Sequence, residues 1–295
     1  MLVVRTDLPA MIPGRPARAS LIRSVALAGV GLFALGLGGC ETVGSIETPG
    51  RGIAEVQAAN KDTSVNIASL TDVIKRNPND SDAYNTRGTA YARTGDFADA
   101  ISDFTKAVQL NPGNAAAFTN RALAYRQTRH DDLALADFNQ AIQANPNHAP
   151  AYLGRGNLLR SQGHLDQAMS DLNTAIRLYP EGAQAFHARG LIHQKQGEHA
   201  LALSDFDNAI DRDPFAAAPY EARAQSLVAT GKYAAAIEDY NAALNVNTKN
   251  SAAWAGLGYC YEKTGNANKA REAFAHAKAL DPNNQAAADG LARLG

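Results

Sequence analysis

The sequence contains few cysteines and few aromatic residues, and it has no excess of charge of either sign. Its 295 residues include two cysteines, Cys40 and Cys260, and one tryptophan. Two such distant cysteines make no disulfide framework, and no Cys/His cluster has zinc-site spacing, so we expect no metal. A formal net charge of −1 gives no basic face for nucleic acid. Because aromatics are only 7% of a chain that is 45% hydrophobic, closely packed helices are favoured.

Long apolar runs are also rare, and the one that matters lies near the N-terminus. Residues 25–37 (VALAGVGLFALGL) are uncharged and follow Arg15, Arg18 and Arg23. A basic segment, a short apolar segment and a closing pair of small residues are typical of a secretory signal peptide. This run is too short to span a bilayer as a helix. The sequence therefore predicts a signal peptide at 1–39, with Met1 or Met11 as the true start.

The apolar run ends in Leu37-Gly38-Gly39-Cys40, which resembles the lipobox of bacterial lipoproteins. The resemblance implies cleavage before Cys40 and a lipid bilayer as a partner through that acylated cysteine. The alternative is a chance cysteine beside an ordinary signal peptide. In this family Asp after the cysteine retains the protein in the inner membrane. Here the residue is Glu41, so the resemblance implies a periplasm-facing envelope protein and favours the outer membrane. Residues 40–61, with glycine, proline and little periodicity, are predicted to be a flexible tether.

A pattern of 34 residues repeats six times from residue 81 onward. Each period has an aromatic residue at position 4, Gly or Ala at position 8, and alanine at positions 20 and 27. Proline stands at position 32 in five periods, and Thr248 replaces it in the fifth. Self-similarity at this period predicts a solenoid of stacked units. The six periods are 81–114, 115–148, 149–182, 183–216, 217–250 and 251–284.

The pattern resembles the tetratricopeptide repeat, a 34-residue helix–turn–helix unit. The resemblance implies an all-α, right-handed solenoid of antiparallel helix pairs. Residues 62–80 and 285–295 keep the same register, so we expect an N-terminal half-repeat helix and a C-terminal capping helix. Glycine occupies position 15 in five repeats, where a helix end favours the left-handed conformation. Arg129 replaces it in the second repeat and predicts a strained residue or an altered turn, while Thr248 predicts the softest repeat boundary.

Two charged positions vary together along the repeats. Position 7 is arginine and position 23 is aspartate in five repeats, whereas the sixth has Leu257 and Ala273. We therefore expect the two positions to touch, across a hairpin or between repeats, as an internal ladder of bidentate ion pairs. The alternative is a row of anion-binding arginines in a groove. The residues are Arg87, Arg121, Arg155, Arg189 and Arg223, with Asp103, Asp137, Asp171, Asp205 and Asp239.

No catalytic signature is found in the chain. The seven histidines are scattered and form no HExxH motif, and there is no nucleophile elbow, phosphate loop or Ser/His/Asp pattern. His193 is interpreted as a hydrogen-bonded core histidine, and Cys260 as a buried thiol that behaves as a small hydrophobe. We predict a protein that is not an enzyme and uses no cofactor.

In tetratricopeptide repeat proteins, function lies on the concave face, formed by positions 2, 5, 9, 12 and 13 of each first helix. Transferred here, these positions combine amides, apolar side chains and cations, which favours protein or peptide partners with acidic segments. The alternative is a merely solvated face. The predicted groove residues are Asn85, Thr89, Arg93, Thr119, Leu123, Arg126, Leu153, Asn157, Arg160, Leu191, Gln194, Lys195, Gln225 and Tyr259.

These features together predict a lipid-anchored scaffold or adaptor of the bacterial cell envelope. The alternative is an assembly factor for an envelope machine, similar to pilotins or to the repeat lipoprotein of the outer-membrane barrel machinery. A glycan-binding module is a third hypothesis, but Tyr259 is nearly alone as a stacking aromatic in the groove. A co-chaperone clamp is not expected, because Asn85 and Pro150 stand where that clamp has lysines, although Asn120 matches one of its asparagines.

Overall fold

The computed structural model describes residues 61–295, all within one compact unit. The predicted signal peptide, Cys40 and most of the predicted tether lie outside the described residues. Within 61–295 every regular element is an α-helix, and none of these helices is long and apolar enough to cross a membrane. The all-α solenoid predicted from the repeat is confirmed.

The helices follow one another in antiparallel pairs separated by short turns. In chain order they are α1 (Lys61–Arg76), α2 (Ser81–Thr94), α3 (Phe97–Leu110), α4 (Ala115–Gln127), α5 (Asp131–Ala144), α6 (Ala149–Ser161), α7 (Leu165–Leu178), α8 (Ala183–Lys195), α9 (His199–Arg212), α10 (Ala217–Ala229), α11 (Tyr233–Val246), α12 (Ser251–Lys263), α13 (Ala267–Leu280) and α14 (Gln285–Leu294). Even numbers from α2 to α12 are the first helices of the six repeats, and odd numbers from α3 to α13 are the second helices. Helix α1 is the second helix of a half-repeat, and α14 is the capping helix.

A left-handed residue closes the first helix of each repeat. Gly95 has φ 87°, and the next residue, Asp96, donates its backbone N–H to the Tyr91 carbonyl at 2.9 Å. Arg129 has φ 60° and is the non-glycine residue with positive φ among residues 61–295. The corresponding bond, from His130 N to Tyr125 O, is kept at 2.9 Å. The turn is therefore unaltered and Arg129 carries the strain, as one branch of the prediction stated.

Second helices end at an extended residue that precedes the position-32 proline. Asn111, before Pro112, has φ −137° and ψ 92°. This is the conformation that a following proline imposes. Asn247 adopts nearly the same backbone, φ −134° and ψ 89°, although Thr248 follows it. Helix packing therefore maintains the extended backbone at this boundary without proline. That this boundary is less stable locally than the others stays a prediction.

Large side chains at position 24 join each hairpin to the next. Phe138 and Phe206 are fully buried. A Cβ added at Gly190, in the same repeat as Phe206, would lie 2.6 Å from its ring, so the two helices approach closely only because this position is small. Gly154 gives the same room to Phe138 of the preceding repeat. The core is thus continuous from repeat to repeat, as in other stacked-repeat folds.

The helices form an inner and an outer layer. Consecutive first helices, such as α4 and α6 or α6 and α8, contact each other. Consecutive second helices, such as α5 and α7, make no such contact within the described part of the chain. The layer of first helices is therefore the more tightly curved one, and it lines the concave face.

Candidate functional site: the concave groove and the ion pairs behind it

The predicted Arg–Asp ladder is confirmed in all five repeats that carry it. In each, the arginine Nε and Nη2 donate to the two carboxylate oxygens of the aspartate in the same repeat, at 2.6–2.9 Å. The aspartates are only 3–6% exposed. This geometry makes the pair strong, since two parallel charge-assisted bonds satisfy a nearly buried carboxylate. The bond to Asp171, for example, raises the pKa of the Arg155 guanidinium.

The third guanidinium nitrogen of each ladder arginine reaches into the preceding repeat. Arg87 Nη1 donates to Thr71 Oγ1 at 3.0 Å, and Arg155 Nη1 donates to Asn139 Oδ1 at 2.6 Å. Of the two Arg–Asp contacts that the sequence left open, the one across the hairpin of the same repeat is therefore present, and the link to the preceding repeat is made to a different position of that repeat. Each ladder arginine ties together three helices.

The sixth repeat shows what replaces the pair. Leu257 and Ala273 are each 2% exposed and pack in one apolar cluster. An apolar pair thus fills the space of an ion pair without leaving a buried charge. Because every ladder arginine is occupied by carboxylate, the alternative of anion-binding arginines at position 7 is wrong. The ladder is structural, and a binding site must be sought in front of it.

Predicted groove residues of the first repeats share a polar network. Asn120 Nδ2 donates to Asn85 Oδ1 at 3.0 Å, joining α4 to α2. The Thr89 hydroxyl donates to the Asn85 carbonyl at 2.9 Å. Arg93, one turn further along α2, is exposed. Sequence reasoning placed Asn120 outside the groove set, yet its amide connects two first helices.

Two predicted groove residues serve the fold instead of a ligand. Thr119 is 2% exposed and donates its hydroxyl to the Ala115 carbonyl at 2.8 Å, so we remove it from the candidate surface. The prediction was wrong there because Thr119, at position 5 of the repeat, is buried where α4 packs against its neighbours. Gln194 Nε2 donates to the Ala222 carbonyl at 2.8 Å and to Ser226 Oγ at 2.9 Å. Its amide therefore holds α8 to α10.

The leucines predicted as groove anchors are only partly open. Leu123 packs against Ala92 and Phe104 of the preceding repeat, Leu153 against the cluster around Leu172, and Leu191 against the cluster around Phe206. Each remains between buried and exposed. These side chains present apolar edges to the groove and also pack at the boundaries between repeats, so their loss would destabilise the fold.

The middle of the groove is cationic. Arg126 on α4 and Arg160 on α6 are partly buried and occupy the same repeat position, one repeat apart. Burial lowers the pKa of both, and the positive charge of Arg160 lowers that of Arg126 further, against the attraction of Asp131. Burial also lowers the pKa of His187 on α8 to about 4, and Arg160 adds to that effect. His187 is therefore neutral at pH 7, and the two arginines carry the local charge.

At its C-terminal end the groove deepens into a cleft of about 510 Å³ between α10, α12 and α14. The predicted residue Tyr259 lines it, together with Val228, the mostly buried Tyr240 and Arg293. Arg293 pairs with Glu262 through two bonds of 2.9 and 2.7 Å, which clamps the capping helix to the last repeat. Tyr240 and Arg293 were missed because they lie outside the five groove positions of the repeat.

The remaining candidates for chemistry are structural. His193 Nδ1 lies 2.6 Å from Glu198 Oε2, as expected of a satisfied histidine. Cys260 is fully buried, and burial raises the pKa of its thiol to about 11. Among residues 61–295 no cluster of three or more His, Cys, Asp or Glu side chains is arranged to hold a metal ion.

The fold is similar to that of several proteins of known structure. The Cut9–Hcn1 hetero-tetramer of the APC/C matches with a TM-score of 0.70 and 19% identity over 79% of this chain, which spans 46% of the length of that chain. PilF of Pseudomonas aeruginosa matches with a TM-score of 0.67 and 20% identity, over 72% of this chain and 97% of its own. PilW, described as a type IV pilus biogenesis factor, has a TM-score of 0.64 and 21% identity, over 72% and 98%. At these identities the likeness is one of fold.

Sequence profiles agree with the structural comparison. No curated protein matches the sequence. Profiles described as tetratricopeptide repeat match residues 54–115, 85–149, 138–169, 183–215 and 227–294, and one described as TPR repeat matches 156–197. Together they span most of the chain. The chain therefore belongs to the tetratricopeptide repeat proteins.

Proposed function

We propose that this protein is a non-catalytic scaffold that binds a protein or peptide partner along the concave face of its solenoid. The observation that carries the proposal is a set of unused polar groups in the groove. The side chains of Asn157, Lys195 and Gln225 make no hydrogen bond or ion pair with any residue that the structure describes. Amides of this kind can bond an extended peptide backbone, while the edges of Leu123 and Leu191 supply apolar contact.

The proposal includes a lipid anchor in the bacterial cell envelope. It is supported by the lipobox-like tetrad ending in Cys40 and by the glycine-containing segment that separates it from α1. Such a segment, about twenty residues long, spans roughly 25 Å as a flexible chain, enough to hold the solenoid away from the bilayer. Glu41 favours the outer membrane as the final location.

A photo-cross-linking experiment tests the groove. A benzophenone amino acid is placed at Asn157 or Gln225 in the groove and, as matched controls, at the exposed second-helix positions Ser170 or Glu238. After irradiation of native envelopes, we expect the same partner to be recovered from both groove positions and from neither control. Equal recovery from the second helices, or none from the groove, would contradict the proposal.

A separate experiment tests the anchor. Substitution of Cys40→Ala is expected to abolish incorporation of labelled palmitate and to move the protein from the membrane fraction to the soluble fraction. Cys260→Ala is the matched control, because it removes a cysteine that the fold buries. Retention of the label after Cys40→Ala would refute the lipid anchor without affecting the groove proposal.

A second candidate function is that of an assembly factor for an envelope machine. It is favoured by the predicted anchor together with a solenoid that spans nearly the whole length of PilF and PilW. If it is correct, deletion of the gene should reduce the number of surface pili seen by electron microscopy, and the groove cross-links should lead to pilus components. A normal number of pili would favour an adaptor for other clients.

A further inference from the structure

Two partly buried arginines of the groove, Arg126 and Arg160, differ from the arginines of the ladder. The five ladder arginines have side chains that are 15–24% exposed, and each holds a carboxylate through two hydrogen bonds. Arg126 and Arg160 are also partly buried, yet the side chain of neither makes a hydrogen bond or an ion pair with a described residue. Arg160 Nε is a buried donor without any partner among them.

Leaving a guanidinium donor buried and unpaired is costly. A buried polar group without its hydrogen bond destabilises a fold, and it does so more strongly when it is charged. The chain supplies partners for every ladder arginine, so it has the means to satisfy such groups. Asp131 attracts Arg126 electrostatically, but no acidic residue is among the groups that affect Arg160. The unpaired site is therefore an electropositive spot within the groove.

The surroundings of the two arginines suit a ligand that lies across several repeats. Arg126 and Arg160 project from α4 and α6, which contact each other in the inner layer. Asn157 lies one turn before Arg160 on α6, on the same helix face, with its amide unused. His187 stands beside Arg160 from α8 and is neutral, so it contributes an N–H or a lone pair instead of charge.

We propose that Arg126 and Arg160 form a carboxylate-binding subsite, which receives an acidic side chain or the C-terminal carboxylate of a partner lying in the groove. The inference rests on the proposed function of the groove and adds the chemistry of the ligand. Two guanidinium groups from neighbouring helices would donate hydrogen bonds to the two oxygens of one carboxylate. The same kind of bond, from one guanidinium, satisfies each aspartate of the ladder. Asn157 is placed to bond the adjacent peptide group.

The subsite is tested by NMR of the arginine Nε–Hε groups in the full chain. Three probes are added: N-acetylglutamate N-methylamide for a side-chain carboxylate, N-acetylalanylalanine for a C-terminal carboxylate, and N-acetylglutamine N-methylamide as the neutral control. We expect saturable shifts of Arg126 and Arg160 with one or both carboxylates and none with the control. The carboxylate that saturates at lower concentration identifies the source. Absence of a shift, or equal shifts at exposed arginines such as Arg177, would overturn the proposal.

Variants separate this inference from the function on which it rests. Arg126→Gln/Arg160→Gln is expected to weaken carboxylate binding at least about tenfold, whereas the control Lys106→Gln/Arg177→Gln, with the same change in charge at exposed second-helix positions, leaves it unchanged. The groove variant should fold at least as well as the wild type, because it removes an unpaired buried charge. If the Asn157 cross-link to a partner persists undiminished in that variant, the subsite is refuted while the scaffold stands. If the carboxylate shifts appear but no groove cross-link forms, the scaffold is refuted while the subsite stands.

Discussion

Replacing one ion pair of the ladder by the apolar pair of the sixth repeat gives a decisive test of how the repeats are held together. In the third repeat the Arg155 side chain is 24% exposed and that of Asp171 is 7% exposed, with both bonds at 2.7 Å. Arg155→Leu leaves a nearly buried carboxylate without its two donors, and we expect it to lower the free energy of unfolding by about 3 kcal/mol. Asp171→Ala should cost less, about 2 kcal/mol, because Arg155 keeps Asn139 and some solvent.

The double variant Arg155→Leu/Asp171→Ala copies the residues found at 257 and 273, which pack fully buried in the sixth repeat. We expect it to cost about 2 kcal/mol or less, so the coupling between the two positions should be about 3 kcal/mol. The converse variant, Leu257→Arg/Ala273→Asp, introduces the ion pair into the sixth repeat. It should be far less destabilising than Leu257→Arg alone.

The measurement is urea unfolding followed by circular dichroism, combined with hydrogen exchange of the amides in α6 and α7. Exchange is needed because a stack of repeats unfolds locally, and a single global transition would average over neighbours. A double variant whose loss equals the two single losses added together would refute the reasoning. That result would mean that the arginine and the aspartate contribute independently, and that the bidentate geometry carries no energy of its own.

Four further predictions concern single residues. Arg129→Gly should raise the thermal midpoint, with a gain of about 1 kcal/mol in calorimetry, since glycine relieves the left-handed strain; a loss would show that the Arg129 side chain matters more than its backbone. Thr248→Pro should stabilise by about 0.5–1 kcal/mol in urea melts, because the backbone before it is already extended, and a destabilised variant would contradict this. The pKa of His187 is about 4 in the folded state, below its ordinary 6.5, so the free energy of unfolding should fall by up to about 3 kcal/mol as the pH falls from 6.5 to 4. His187→Asn should flatten this pH dependence in urea melts, and an unchanged dependence would show that His187 is not its source. With Cys40→Ala in the background, Cys260 should resist Ellman's reagent at pH 8 until the protein is unfolded in urea, and rapid reaction of the folded protein would show that the thiol is accessible.

Much of the fold followed from the sequence because the stabilising contacts of a repeat lie within one or two periods of the chain. Positions 8, 20 and 24 recur at fixed spacing, and each packs against the equivalent positions in every repeat. The loss of arginine and aspartate together at Leu257 and Ala273 was enough to pair positions 7 and 23. The glycines of the other turns define what position 15 requires, so Arg129 predicted a strained residue or an altered turn, and the structure shows the strained residue.

The candidate site depended on more than the repeat pattern. Thr119 and Leu123 both belong to the groove positions of the repeat, yet only Leu123 reaches the groove surface. Tyr240 and Phe274, which share a repeat position, both line the C-terminal cleft although they are 5% and 1% exposed. These differences arise where a helix meets a neighbour of different size, which position in the repeat does not specify.

The sequence by itself determined the class of fold, the helix pairs and the two repeat positions that form the ladder. Each of these is set by local conformational preference or by partners at a constant separation along the chain. Only the tertiary structure decided which arginines find a carboxylate and which do not. Arg155 and Arg160 belong to the same helix, but one turns toward Asp171 and the other toward the groove. Whether a charge is satisfied depends on what surrounds it in three dimensions, and at Arg160 the described chain supplies no partner for its Nε donor.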